Sequence, residues 1–368
     1  MAQKQEKKNL AKTKIVEYIL SRKITSKVEL SKQLNLSMPT VLSNIKELTE
    51  KGLVTEVGEY ESTGGRKAKS LGVVKDFCYG MGMNITANHV GMVLINLCGE
   101  IERQERKRLK FAPDIAYCQT LASMAEEFLK GAGGGENVLG IGIALPGIIN
   151  TREMLLVKAH ALQVENYSLK MMEQMLPLPV YFENDANTAM MAEDLQEYAD
   201  AVYLSLNHTL GGAVCINGQL FTGQNRRAGE FGHMVLVPGG CACYCGKSGC
   251  ADAYCSAGAL TVQADESLDG FMERLDKNDA EAARIWDEYL DHLAILVSNL
   301  RMAYDTDIIL GGDVGGYLPE YMLDLGEKVL HYNMFDRDIS YLKTCSCRKE
   351  ASAVGAARHF FSLFIQQI

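Results

Sequence analysis

Apolar positions recur along this chain on two different periods, and the change of period divides it. Near the start the period is helical. Ile15, Val16, Ile19 and Leu20 share one face of a first amphipathic segment. Ser26 caps a second helix with Val28, Leu30 and Leu34, and Glu29 stands three residues after the cap, where it can reach back. Asn35-Leu36 turns the chain. Ser37 opens a third helix, SMPTVLSNIKELTEKG, with Pro39 in the first turn, where a missing N–H costs nothing. Val41, Leu42, Ile45 and Leu48 are expected to form its buried stripe, and Gly52 to end it. Leu53 to Val57 then reads as a strand. Helix, turn, helix and strand predict a winged helix-turn-helix over residues 1–75.

From about residue 76 strands alternate with helices. Phe77 to Ile85 and Gly91 to Leu97 are apolar strand-like runs, and Ile115 to Leu129 is an amphipathic helix ended by GAGGGEN. VLGIGIAL, from Val138 to Leu145, reads as a fully buried strand closed by Pro146-Gly147. Val180-Tyr181-Phe182 is a strand that delivers Glu183-Asn184-Asp185-Ala186-Asn187 to a helix start. Ala201 to Leu206, Gly212 to Ile216 and Ile308 to Leu310 complete the strands. This pattern predicts an α/β body of two lobes, 76–190 and 191–349, with a last helix over 350–368 packing back on the first lobe. No short-period repeat is visible.

Composition excludes several classes. With 47% hydrophobic residues in 368, the chain can bury a sizeable core and is neither disordered nor a disulfide-stapled miniprotein. The absence of an eighteen-residue apolar run and of a secretory stretch predicts a soluble, cytoplasmic protein with no membrane partner. Eleven cysteines there point to thiols or metal ligands. Charge is unevenly placed. Residues 1–70 hold 14 Lys/Arg against 8 Asp/Glu, leaving 23 against 38 for the rest. A basic head on an acidic body suits a polyanion at the head alone. The third helix would enter the major groove of double-stranded DNA with Met38, Thr40, Ser43, Asn44 and Lys46. The wing tip STGGRKAKS would set Arg66, Lys67 and Lys69 against phosphates or the minor groove. A helical protein-interaction domain shares the helix pattern, but spacing, wing and charge together favour DNA.

The sharpest chemistry lies at His233 and CYCGKSGC. His233, Cys243, Cys245 and Cys250 fall within eighteen residues, with glycines that let the chain fold back around an ion. That donor set matches a tetrahedral structural Zn²⁺, closed to catalytic water. On spacing alone Cys241 serves as well as Cys243, and unligated thiols are the plain alternative.

Taken in order, the winged helix, Glu183-Asn184-Asp185-Ala186-Asn187, Glu230-Phe231-Gly232-His233 and CxCGxxGC resemble the ROK family of repressors, open reading frames and sugar kinases. The resemblance covers nearly the whole chain, and its extension resembles the repressor branch. It implies an actin-like, ribonuclease-H-like two-lobed body with a sugar between the lobes. Asn184 and Asp185 match the family's sugar-binding pair, Glu230 and His233 a second pair, and Asp252 a further contact that is Glu in the family. Asn184 and Asp185 also read as a helix cap with a first-turn acid, and the two readings are compatible. The kinases' phosphate loops are changed here, to Asn84-Ile85-Thr86-Ala87-Asn88 and Asn207-His208-Thr209-Leu210-Gly211. Those departures imply a sugar-responsive regulator, a homodimer or dimer of dimers on a DNA operator, rather than an enzyme. An active sugar kinase with a DNA-binding head is the alternative, and a regulator answering to a protein partner a third.

Overall fold

A computed structural model describes residues 2–60, 68–131, 137–193, 197–347 and 350–368. The head is three helices and a hairpin: α1 (Ala2–Arg22), α2 (Lys27–Gln33), α3 (Met38–Glu50), β1 (Val54–Tyr60) and β2 (Ala68–Val73), the strands antiparallel. Both expected caps form. The Ser26 hydroxyl accepts from the Glu29 amide at 3.2 Å, and the Ser37 hydroxyl from the Thr40 amide at 3.3 Å. Asn35, at φ 52°, makes the turn between α2 and α3.

The stripe on α3 differs from expectation by one residue. Leu42 is 47% exposed, whereas Asn44 is only 1% exposed and packs with Val41, Ile45 and Leu48. Helical geometry explains it. Position 44 lies three residues from 41 and four from 48, so it must share their face whatever its chemistry. Asn44 is therefore withdrawn from the proposed DNA-reading set. Its Nδ2 donates to the Thr40 carbonyl at 2.8 Å, and its Oδ1 is buried without a donor. Asn44→Ala is expected to lower stability by about 1–2 kcal/mol and leave base preference unchanged. Thermal melting and selection on a randomised operator library check the two halves.

Ser43 and Lys46 are exposed, and Met38 and Thr40 half-buried, on the side of α3 turned from the body of the head. Lys69 on β2 is exposed beside Glu56 at 2.5 Å. Arg66 and Lys67 lie outside the described residues.

The body contains one topology twice. Its first sheet uses β3 (Tyr79–Ile85), β4 (His89–Asn96), β5 (Ile101–Arg108), β6 (Val138–Leu145) and, after the small sheet below, β10 (Val180–Asn184). Between them come α4 (Ile115–Lys130), a small sheet of β7 (Ile148–Asn150), β8 (Leu155–Ala159) and β9 (Val164–Ser168), and α5 (Lys170–Met175). β10 runs into α6 (Asp185–Met191). The second sheet has β11 (Ala201–Leu206), β12 (Leu210–Ile216), β13 (Gln219–Leu220), β14 (Asp307–Gly311) and β15 (Leu342–Thr344). Its helices are α7 (Asp252–Cys255), α8 (Ala257–Ala264), α9 (Leu268–Asp276), α10 (Ala280–Tyr304), α11 (Gly312–Gly315) and α12 (Met322–Tyr332), and α13 (Ala351–Gln366) follows. Each sheet is a three-strand antiparallel meander whose first strand pairs in parallel with a fourth strand, which in turn pairs in parallel with a fifth. The orders β5-β4-β3-β6-β10 and β13-β12-β11-β14-β15 are thus equivalent. This is the ribonuclease-H-like duplication, and it is a repeat of topology that the sequence does not display.

The last helix, α13, crosses back onto the first sheet. A Cβ on Gly82 would lie 1.9 Å from the Ala353 carbonyl oxygen, and one on Gly142 2.0 Å from that of Ala356. Only glycine permits that approach. On its other sides α13 meets α6, where Gly355 abuts the Thr188 carbonyl, and the head, where Thr13 donates to the Ile365 carbonyl at 3.1 Å. Ile15, Val16, Ile19, Val93, Ile95, Ala353, Val354, Ala357 and Phe361 share one buried cluster. Among the described residues no helix is long and apolar enough to cross a membrane.

Candidate functional site

Pro146-Gly147 and Asn184-Asp185 lie side by side at the carboxyl ends of the parallel strands β6 and β10, where α/β sheets commonly hold ligands. Asn184 is the N-cap of α6. Its Oδ1 accepts from the amides of Ala186 and Asn187 at 2.9 and 3.0 Å, and its Nδ2 donates to the Gly147 carbonyl at 3.0 Å. The side chain thus ties the two strand ends together and also hydrogen-bonds the neighbouring Asp185 carboxylate. Asp185 accepts from the Ala186 amide at 2.9 Å. Burial raises its carboxyl above the ordinary range, against the pull of backbone donors.

A cleft of about 280 Å³ opens between these strand ends and the second sheet. Glu230 and His233 enter it on a loop that leads into the turn Phe231–His233. Gly229, at φ 87°, lets that loop pass 2.4 Å from the Gly212 carbonyl, measured from where a Cβ would stand. Burial, and then the Asp185 carboxylate, raise the Glu230 carboxyl. Burial raises both carboxyls, and the hydroxyls of a polyhydroxylated ligand would supply further donors to them.

His233 faces two ways. Its Nδ1 lies 3.8 Å from the Cys243 sulfur, while its Nε2 lies 3.9 Å from Glu230 Oε2 and 3.5 Å from the Tyr244 hydroxyl. Burial, with His160 and Lys247 nearby, lowers its pKa and favours neutral imidazole. Cys245 and Cys250 are 3.7 Å apart, and the donor atoms of His233, Cys243, Cys245 and Cys250 all lie within 4.8 Å of one another. Sulfurs on a tetrahedral ion with bonds of about 2.3 Å stand roughly 3.8 Å apart, so the cluster fits a small tetrahedral metal. Cys241 is not part of it, and its amide donates to the Tyr254 hydroxyl at 2.6 Å. Gly246 at φ 90° and Gly249 at φ 79° make the turns that fold the loop on itself.

Asp252 is a correction. It does not line this cleft; it is buried behind it, and its carboxylate accepts from the Leu210 amide at 2.6 Å. A side chain one methylene shorter than Glu stops at the backbone. Conversely, Lys158, His160, Arg226, Arg227 and Tyr244 line the cleft without having been expected there. His160 comes from the first half of the body, and its ring lies 6.0 Å from His233 and 5.8 Å from Tyr244. Local signals existed for Arg226-Arg227, which stand just before Glu230, and for Tyr244, which lies between Cys243 and Cys245.

A winged helix joined to a duplicated ribonuclease-H-like body defines a class, that of DNA-binding proteins built on a sugar-kinase fold. The family model for winged helix-turn-helix DNA-binding matches residues 9–55, and that for ROK matches residues 80–362. The chain belongs to the ROK family. It is 27% identical over 362 residues to the xylose repressor of Caldicellulosiruptor bescii, covering 91% of each chain. Against the transcriptional dual regulator NagC of Escherichia coli it is 23% identical over 264 residues, 69% of this chain and 64% of that one. A crystal structure of a ROK family transcriptional regulator, a homolog of the E. coli MLC protein, superposes with a TM-score of 0.75 at 20% identity, covering 98% of this chain and 97% of that one. A ROK glucokinase from Streptomyces griseus, in complex with glucose and AMPPNP, gives 0.62 at 23% identity over 76% and 98%.

Proposed function

We propose that this chain is a sugar-responsive repressor that binds an operator through paired winged helices and takes its effector in the cleft between the lobes. The observation that carries this reading is the cleft itself, with Asp185, Glu230, His233 and Asn184 converging at strand ends whose helix, α6, packs on the same α13 that braces the head. Its repressor relatives support the reading. A homodimer or dimer of dimers would present two winged helices to a two-fold symmetric site.

Zinc would be held by His233 Nδ1 and the sulfurs of Cys243, Cys245 and Cys250, with no position left for water. Its contribution is scaffolding. Burial pushes the Cys243 thiol up to about 12, so a cation is what would hold that sulfur ionised. Fixing Nδ1 would leave His233 Nε2 to serve the cleft.

Phosphoryl transfer is not part of the proposal. Asn84 offers no carboxylate for Mg²⁺, and at the second loop the Asn207 side chain accepts from the Asp313 amide at 2.9 Å, occupying a donor that phosphate would need. Arg106 pairs with Glu350 at 3.3 Å, a side chain that fills the space a Cβ on Gly91 would take.

One panel of hexoses, pentoses and N-acetylhexosamines tests both halves. At least one sugar is expected to raise the melting temperature and shift DNA affinity, and none to be phosphorylated in a coupled ATP assay. Turnover near one per second, ordinary for kinases, would overturn the repressor reading in favour of an enzyme, and silence in all three assays would remove the sugar.

A further inference from the structure

We propose that α3 reads thymine methyl groups in its operator, and that Leu42 is the side chain that reads them. The inference rests on the reading that the head binds double-stranded DNA, and it names the base edge that this helix recognises.

The helix has few other means of reading. Bases differ in the major groove by the donors and acceptors on their edges and, for thymine alone, by an apolar C5 methyl. Purines are commonly read by polar side chains that contact two atoms at once, Arg or Lys on guanine and Asn or Gln on adenine. The 13 residues of α3 include no Arg, Gln or His. Their single carboxamide, Asn44, is buried and donates to the Thr40 carbonyl. The Thr40 hydroxyl is engaged with that of Ser37 at 2.8 Å. Glu47 is held by Lys12, and Lys46 lies a turn beyond Leu42, with Glu50 at 3.8 Å.

What α3 offers in its first two turns is apolar. Pro39 and Leu42 are exposed and Met38 is half-buried, and three- and four-residue spacings make them neighbours on the helix surface. A lone exposed leucine elsewhere would call for no explanation. Leu42, 47% exposed, stands beside Ser43 and one turn before Lys46, away from the buried Val41, Ile45 and Leu48. That is the N-terminal part of the second helix of the pair, the part that contacts base edges in helix-turn-helix proteins. Charge says what covers it. Residues 1–70 carry the excess of Lys and Arg, and the winged helix-turn-helix DNA-binding model matches residues 9–55, which hold the whole of α3. An apolar step pressed into the groove of a polyanion meets one apolar group on the base edges, the thymine methyl.

The experiment uses the full chain. Selection from a randomised duplex library supplies the preferred site, and each of its thymines is then replaced in turn by deoxyuridine, which differs only by the missing methyl. Every duplex is titrated by fluorescence anisotropy with the unsubstituted protein and with Leu42→Ala. Burying one methyl is worth about a factor of four in affinity, so deoxyuridine should weaken binding by about that factor at the positions Leu42 reads. Leu42→Ala should bind the thymine duplex more weakly, and should no longer distinguish thymine from deoxyuridine there. Its melting temperature should hold, because the side chain is exposed. At the same positions 5-methylcytosine should bind better than cytosine, since it restores the methyl on an unchanged C·G edge. Leu42→Gln, similar in length but polar, should select a site without the thymine preference.

Deoxyuridine binding like thymine at every position would overturn the inference, and so would a Leu42→Ala protein that still discriminates the two as the unsubstituted chain does. Selected guanines whose preference is relaxed by Lys46→Ala, in place of the thymines, would overturn it as well and give the reading to an ammonium. In each of these cases the head still binds DNA. A library from which cooperatively melting protein enriches nothing would remove the DNA reading and this inference together.

Discussion

Protein carrying Cys245→Ser and Cys250→Ser is expected to lose about one zinc per chain and, with it, its response to sugar. Structural zinc sites of this kind bind with roughly 10–16 kcal/mol of apparent free energy at neutral pH, so two lost thiolates remove the ion outright. The cleft then suffers indirectly. The ion would hold Nδ1 of His233, and the backbone between His233 and Glu230 is a single turn, with the His233 amide bonded to the Glu230 carbonyl at 3.1 Å. Freed from its anchor, that turn no longer fixes either side chain, and effector affinity should fall by about two powers of ten or more. Operator affinity without sugar should change little, because the cluster makes no part of the head's core. Elemental analysis of protein purified without chelator, followed by titration, is the measurement. Full zinc content in the double variant, or unimpaired effector binding by zinc-free protein that still melts cooperatively, would sink the scaffold role.

Asp185→Ala is the second large effect, a loss of effector affinity of roughly tenfold to a hundredfold. Each unpaired sugar hydroxyl in a buried site costs about 1–3 kcal/mol, and 1.4 kcal/mol is a factor of ten. The substitution also removes the first-turn acid of α6, worth about 0.3–1 kcal/mol of stability. Asp185→Asn keeps the shape of the side chain and one acceptor oxygen while losing the charge and the second acceptor, so a smaller loss of effector affinity is expected. Sugar-free DNA affinity should remain at its original value in both. An Asp185→Ala protein that binds effector normally would move the regulatory site elsewhere on the body.

Much of this was legible in the residues, and the failures have physical causes. Ser26 and Ser37 cap their helices because a cap is a local contract between one hydroxyl and an amide three residues on. The strand Val138–Leu145 was equally local, a fully apolar run between turns. β5 was not found, since Ile101–Arg108 is almost wholly charged. As the edge of its sheet it has one polar face in water and gains its pairing from β4 alone, and charge on an edge strand discourages pairing with other chains. On α3, a leucine was preferred to an asparagine for the buried stripe, and geometry favoured the asparagine.

The site divides in the same way. His233, Cys243, Cys245 and Cys250 are near in sequence, so spacing revealed them, and Cys243 was distinguished from Cys241 only by the folded loop. Lys158 and His160 are distant in the chain from Arg226 and meet it only because the two halves of the body close on a cleft. No periodicity encodes such a meeting. Asp252 failed in the opposite sense, since a matching position in a motif does not ensure that a shorter side chain reaches the same space.

The position of α13 has a consequence for synthesis. This helix leaves the ribosome after every element it braces, yet it covers the glycine floor of the first sheet at Gly82 and Gly142, backs α6, and seats α1 of the head. A nascent chain that has emerged only as far as β15 therefore holds an apolar trough in its first lobe and a head that lacks the α13 part of its seat. Contacts between residues about 270 positions apart, such as Gly82 with Ala353, must wait until α13 has emerged and then close slowly. Until then the trough is a natural client surface for chaperones, and chains stalled short of Ala351 carry winged helices without the platform that would orient them. Chain order thereby makes the brace between head and body one of the last parts of the described fold to be completed.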